Sequence, residues 1–179
     1  MKRSHNKIYF ISGVSGVGKT STLLHLKKML PGDQYDIHDL DERGVPDGGG
    51  QVWLDGETRH WLEVAKTNAT VGKSTIICGF ADPDQFEKIY NQETDVPAKI
   101  ILLHASSETI RKRLYGRYPT PESIKEINRA SGVSLDTFVE GCISFAPEFH
   151  SVFKKHAFPI VDTDNKTPEE VTREIIKNL

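Results

Sequence analysis

Gly13-Val14-Ser15-Gly16-Val17-Gly18-Lys19-Thr20 satisfies every fixed position of the pattern G-x-x-x-x-G-K-[ST]. Each type in it has a chemical reason. Glycines let backbone amides turn inward around phosphate oxygens, a lysine reaches the outer phosphates, and a threonine hydroxyl is offered to Mg²⁺. Gly13 to Thr20, with the following Ser21, are therefore the expected polyphosphate-binding residues. A helix that opens near Lys19 adds the positive end of its dipole. A second Gly-Lys-Ser, Gly72-Lys73-Ser74, lacks the first glycine of the pattern, because Thr67 stands there, and Lys73 reads as a solvated loop residue.

Asp39 and Asp41 are the next chemical feature. They flank Leu40 at the end of the run Tyr35-Asp36-Ile37-His38-Asp39, where alternation puts both carboxylates on one side. Beside the phosphate cradle, one carboxylate can hold Mg²⁺ through water while the other takes a proton from an attacking hydroxyl.

These residues need elements to hold them. Apolar, β-branched runs at 8–12, 35–39, 74–80, 99–105 and 158–164 alternate with helical patterns at about 19–30, 51–72, 83–91, 107–117, 121–130, 134–155 and 168–178. Such alternation predicts a parallel sheet covered on both faces. The unbroken Ile100-Ile101-Leu102-Leu103 suits a strand buried on both sides. Pro31-Gly32 closes the first helix, and Thr167-Pro168-Glu169-Glu170 opens the last with a cap, an N-terminal proline and acids at the dipole's positive end. Residues 44–50, Gly-Val-Pro-Asp-Gly-Gly-Gly, read as a hinge. Trp53, Leu54, Trp61, Leu62 and Ala65 give the helix after it one broad apolar face, on which the tryptophans read as core rather than as a base-stacking platform.

With 179 residues, 37% of them hydrophobic, the chain fits one domain with a substantial core. The 23 Lys and Arg against 25 Asp and Glu leave a net charge of -2, so no general affinity for nucleic acid or an acidic membrane is expected and any anion must be held locally. Cys78 and Cys142 form no metal or redox pattern and read as buried thiols in a reducing cytosol. The basic start Met1 to Lys7 is followed by too short an apolar stretch for a secretory signal, and no run reaches the ~20 residues of a membrane span, so a cytoplasmic location is expected. The seven histidines form no HxxxH; His150 and His156 read as solvated helix surface.

At this point the chain resembles the small P-loop kinases related to nucleoside-monophosphate, shikimate and gluconate kinases. The resemblance rests on the phosphate loop, on Asp39 and Asp41 matching an acidic D-x-D after the second strand, and on the G-F Gly79-Phe80 after the third. It rests also on Ser106 to Arg117, similar to the helix leading into an arginine-bearing lid, and on a closing D-T loop at Asp162 to Thr167. The resemblance implies a three-layer α/β P-loop NTPase fold with a five-stranded parallel sheet in the order 2-3-1-4-5, in a single domain with a substrate-binding segment about 44–72 and a lid or cap about 113–156. It implies an ATP-dependent phosphotransferase that moves the γ-phosphoryl group of MgATP to a small nucleotide, nucleoside or sugar-acid-like acceptor. Thr20 and Asp39 become the Mg²⁺ side, and Asp41 the substrate-side acid or base. Gly79 and Arg59 become substrate contacts, Arg59 as a clamp for an anionic group. Lys19, Arg117 and Arg113 become the cations around the transferring group, with Arg113 beside the adenine. Arg113 and Arg117 share a helix face while Arg111 points elsewhere.

Two departures from that family pattern stand out. Cys78 replaces the acid that precedes G-F in adenylate kinases, which puts more weight on Asp39, and segment 118–156 is larger than a simple lid, so it serves as a substrate cap or as the dimer surface of a chain that is a monomer or a homodimer. Two other readings compete. Asp41-Glu42-Arg43-Gly44 fits the D-x-x-G of GTPases, but Asn165-Lys166-Thr167-Pro168 carries a proline where guanine reading needs an aspartate. A nucleotide-binding regulatory module without transfer activity would accommodate Cys78 and the unusual cap.

Overall fold

The structure, a computed structural model, describes residues 7–46, 49–156 and 158–179. The expected basic start therefore lies outside the described residues up to Asn6, as do Asp47 and Gly48 of the expected hinge. The strands are β1 (Ile8–Ser12), β2 (Tyr35–Asp39), β3 (Ser74–Cys78), β4 (Ala98–His104) and β5 (Ile160–Asp162). They form one parallel sheet in the order β2-β3-β1-β4-β5. The helices are α1 (Lys19–Met29), α2 (Gln51–Thr70), α3 (Pro83–Glu93), α4 (Ser107–Arg117), α5 (Pro121–Ser131), α6 (Leu135–Lys155) and α7 (Pro168–Ile176).

β1 shows why both faces of the sheet are apolar. All five of its residues are buried. On one face Phe10 meets Phe86 of α3 edge to face, with ring centroids 4.9 Å apart; on the other the Tyr9 hydroxyl donates to the carbonyl of Leu179, just past α7. Successive strand side chains point to opposite faces, so helices must cover both. The layer on the side of α3 continues as a run of rings, Phe80 on Phe149 and Phe149 on Phe153, which seats the long α6.

Several boundaries differ from the sequence reading. β3 stops at Cys78, its partner positions being Ile11 and Asp39, and the chain then turns at Gly79, whose backbone packs so closely on Leu40 that no Cβ fits. β5 keeps only the residues that pair with Leu102 to His104. α2 ends at Thr70 because Val71-Gly72 turns, with Gly72 at φ 84°. α6 runs through Pro147 without a break in its span. The two histidines expected on solvated helix surface have partners instead: His150 stacks on His104 with centroids 4.4 Å apart, and the His156 ring lies 2.8 Å from Asp84 Oδ1. Trp61 and Cys78 are core, 4% and 1% exposed, whereas Trp53 and Cys142, expected to be buried too, are only half-buried.

Candidate functional site

β1 is a central strand, so the chain leaving it emerges at the middle of the sheet's carboxyl edge, where open α/β folds place their ligands. Two glycines explain the shape of the loop that follows. A Cβ at Gly13 would come within 2.7 Å of the Leu103 carbonyl oxygen, so the loop can lie tight on β4 only if this residue is glycine. Gly18, the N-cap of α1, sits at φ 102°, a left-handed conformation that turns the backbone into the helix without strain. Ser12 anchors the loop from below: its hydroxyl donates to the Ala81 carbonyl at 3.0 Å and accepts from the Ala81 amide at 2.9 Å.

Lys19 folds back under the loop, donating to the carbonyls of Gly13 at 2.7 Å and Val14 at 3.0 Å. Burial of the amine lowers its pKa to about 8 despite the attraction of nearby Asp39. A half-buried ammonium whose hydrogen bonds go only to carbonyls has room for more negative charge, which a polyphosphate would supply.

Asp39 and Asp41 meet at the carboxyl end of β2. Burial, followed by the hydrogen bond and charge of Asp41, pushes the Asp39 carboxyl up to about 6, with Lys19 opposing. The like charge of Asp41 disfavours the ionised form of Asp39, so Asp39 keeps its proton to a higher pH than an isolated carboxyl. A layer behind them fixes their placement. Glu42 accepts from the Asp39 amide at 3.1 Å and pairs with His38 Nδ1 at 2.7 Å; His38 stacks on Trp61 at 4.2 Å, and Trp61 Nε1 donates to the Leu40 carbonyl at 3.0 Å. The sequence carried a hint of Glu42 in its position four residues after His38, and none of the reach from Trp61.

A cavity of about 910 Å³ joins these parts. It is lined by Ser15 to Ser21, Asp39, Asp41, Gly79, Arg113 and Arg117, so most of the expected site residues come together there. Gly13 and Val14 line a second, adjoining cavity of about 420 Å³, which shares Ser15, Lys19 and Phe80 with the first. Arg59 lines neither cavity. It is exposed, and its Nε donates to Glu93 at 3.2 Å, so the helix that carries it turns this arginine to α3 rather than to the site. Trp53, Thr163 and Lys166 also line the larger cavity.

The two lid arginines differ. Arg113 donates to the carbonyls of Gly16 and Val17 at 3.3 and 3.1 Å, and to the hydroxyl and carbonyl of Thr163 at 2.9 and 2.8 Å. Those donors are committed to protein, which makes Arg113 a strut between the phosphate loop and the loop after β5. Arg117, one turn on, is exposed on the cavity wall with its guanidinium 5.6 Å from the Tyr118 ring centroid, and its donors remain available to a ligand. Lys73 donates to the Gly32 carbonyl at 2.9 Å, away from the site.

The residues also fit a Mg²⁺ nucleotide. Among the described residues no group of three or more His, Cys, Asp and Glu could hold a metal alone. Mg²⁺ sites on nucleotides are built from one or two protein oxygens with phosphates and water, and the Thr20 hydroxyl and the Asp39 carboxyl are such oxygens on one cavity. The guanine-reading motif fails in space as in sequence: the Lys166 amine is bound to the Asp162 carbonyl and to Glu174, and Pro168 is the first residue of α7.

No protein-family model and no curated protein matches the sequence. Solved structures do match in fold. A shikimate kinase from Acinetobacter baumannii in complex with shikimate has a TM-score of 0.58 at 16% identity, over 97% of this chain and 92% of its own. A shikimate kinase from Bacteroides thetaiotaomicron has 0.58 at 19%, over 97% of each chain. A gluconokinase from Sinorhizobium meliloti 1021 has 0.57 at 15%, over 98% and 92%. The chain thus has the fold of the small P-loop kinases, along nearly its whole length.

Proposed function

We propose that the protein is an ATP-dependent phosphotransferase acting on a small metabolite with a hydroxyl or phosphate acceptor. The observation that carries the reading is the meeting, in one cavity, of the Lys19 ammonium and loop amides with the Asp39 and Asp41 carboxyls. A module that merely bound nucleotide would need the first set and not the second. The fold shared with shikimate kinase and gluconokinase is consistent with the same class.

In this reading the amides of Gly13 to Thr20 and the Lys19 ammonium hold the β and γ phosphates. Thr20 and Asp39 would hold the metal ion, which would neutralise phosphate charge. Asp41 takes the proton of the acceptor hydroxyl as that oxygen bonds to the γ phosphorus and the bond to the bridging oxygen of ADP breaks. Arg117 stabilises the equatorial oxygens in transit, and Arg113 fixes the loop in which they rest. Segments 44–72 and 113–156 carry acceptor binding and closure over it.

Asp41→Asn tests the assignment. It is expected to bind MgATP as the wild type does, by calorimetry, and to lose about 10²-fold or more in ADP release across a panel of nucleosides, nucleotides and sugar acids. Wild-type turnover by this variant removes Asp41 from the chemistry. GTP raising the melting temperature while ATP does not would favour the GTPase reading instead.

A further inference from the structure

The phosphate loop has a second neighbour that the reaction as described leaves unused. Between it and α6 lies the cavity of about 420 Å³, walled by Val14, Phe80, Val133, Phe138 and Phe145. That volume suits a small organic molecule. Val133 and Phe145, 41% and 38% exposed, are large apolar side chains left open to solvent on this wall, although most such residues in the chain are buried. The cavity adjoins the larger one, with Ser15, Lys19 and Phe80 lining both. Lys19 marks the boundary, since it lines both cavities, with Asp39 and Asp41 on the wall of the larger and Cys142 on the wall of the smaller.

Charge decides what this space can hold. Among the described residues Lys19 is the single cation on its wall, and the phosphates require it. Of the other candidate cations, Arg113 is committed to the loop carbonyls and Thr163, Arg59 to Glu93 and Lys166 to Glu174, while Arg117 stands on the wall of the larger cavity and not of this one. A carboxylate seated among Phe80, Phe138 and Phe145 would give up its hydration without gaining a partner. An aromatic or alicyclic body loses nothing there and removes apolar surface from water, while Thr137 and Ser15 offer neutral polar contacts at the wall.

We propose that this cavity binds the body of the phosphoryl acceptor, that the body is uncharged and largely apolar, and that the acceptor's hydroxyl passes between Lys19 and Phe80 toward Asp41. The proposal rests on the phosphotransferase reading and narrows it from small metabolites in general to neutral alcohols with a ring or other apolar frame, excluding sugar acids.

The test is calorimetric titration of the full chain, loaded with Mg²⁺ and a non-hydrolysable ATP analogue, with 4-nitrobenzyl alcohol, shikimate and gluconate as probes. Val133→Asp and Phe145→Ser, both at partly exposed positions and each checked by melting temperature, alter the wall without touching the phosphate loop. The alcohol is expected to bind the wild type and to bind each variant at least about tenfold more weakly, while the two carboxylates bind none of them. Shikimate or gluconate binding the wild type more tightly than the alcohol overturns the proposal, as does failure of the alcohol to bind, or binding unchanged in both folded variants. ADP release from ATP is followed separately across a panel of neutral alcohols. Variant-sensitive binding with no release from any of them strikes the transferase reading and leaves the binding cavity standing.

Discussion

Lys19 and Asp39 both have pKa values moved toward neutrality, which makes ligand binding and stability depend on pH. Lys19 has a folded pKa of about 8, below its ordinary value; bound phosphates pull it back up, so binding takes up a proton near and above pH 8. ATP affinity is therefore expected to fall above pH 8 by up to about tenfold per pH unit, with proton uptake visible as a buffer-dependent heat in calorimetry. Lys19→Ala is expected to abolish the ATP-induced rise in melting temperature and all transfer, while the ligand-free protein keeps its stability within about 1 kcal/mol, since a poorly compensated buried charge is removed with its contacts. For Asp39 the sign is opposite. Its folded pKa, about 6, lies above the unfolded carboxylate value of ~3.9, so ionisation of Asp39 costs nothing below ~3.9 and removes stability as pH rises from there through about 6. Asp41→Asn removes the like charge and is expected to raise the melting temperature by roughly 1–3 °C at pH 7 and by nothing at pH 4. A gain that persists at pH 4 would assign the effect to something other than charge.

At the scale of elements, the site depends on ties between segments distant in sequence. Arg113 joins α4 to the phosphate loop and to Thr163 after β5. Arg113→Ala is expected to cost about 2–3 kcal/mol, a melting drop of roughly 5–10 °C, and to raise KM for ATP more than it lowers kcat, because it loosens the loop without reaching the transferring group. Arg117→Ala is expected to do the reverse: kcat falls at least about tenfold with stability unchanged, since that side chain is exposed. Thermal melts and initial rates on the two variants separate strut from lid cation. The difference between these arginines was not legible in their spacing, which put both on one helix face. It arises because α4 ends over the cavity, so one turn of helix moves a side chain from beneath the loop to its rim. Arg59 shows the same limit: its place on the helix after the expected hinge suggested a clamp, and the packing of α2 on α3 turned it to Glu93.

For the whole molecule, a sheet with β1 at its centre gathers the carboxyl ends of β1, β2 and β3 at one edge, and with them the phosphate loop, the acid pair and Gly79. Among the described residues no helix is long and apolar enough to cross a membrane. The alternation of strands and helices and the phosphate loop were determined by the sequence alone, because each rests on local rules: a glycine needed for a close approach, a β-branched run buried on both faces, a cap that starts a helix; the strand order was implied only by the resemblance to the small P-loop kinases. Only the tertiary structure decided which of the chemically able residues share a space. It brought Glu42, His38 and Trp61 behind the acid pair, withdrew Arg59 and committed Arg113, and it opened an apolar chamber between the phosphate loop and α6. Those outcomes depend on the angles at which helices cross a twisted sheet and on side chains more than twenty positions apart, and no local pattern encodes where such groups meet.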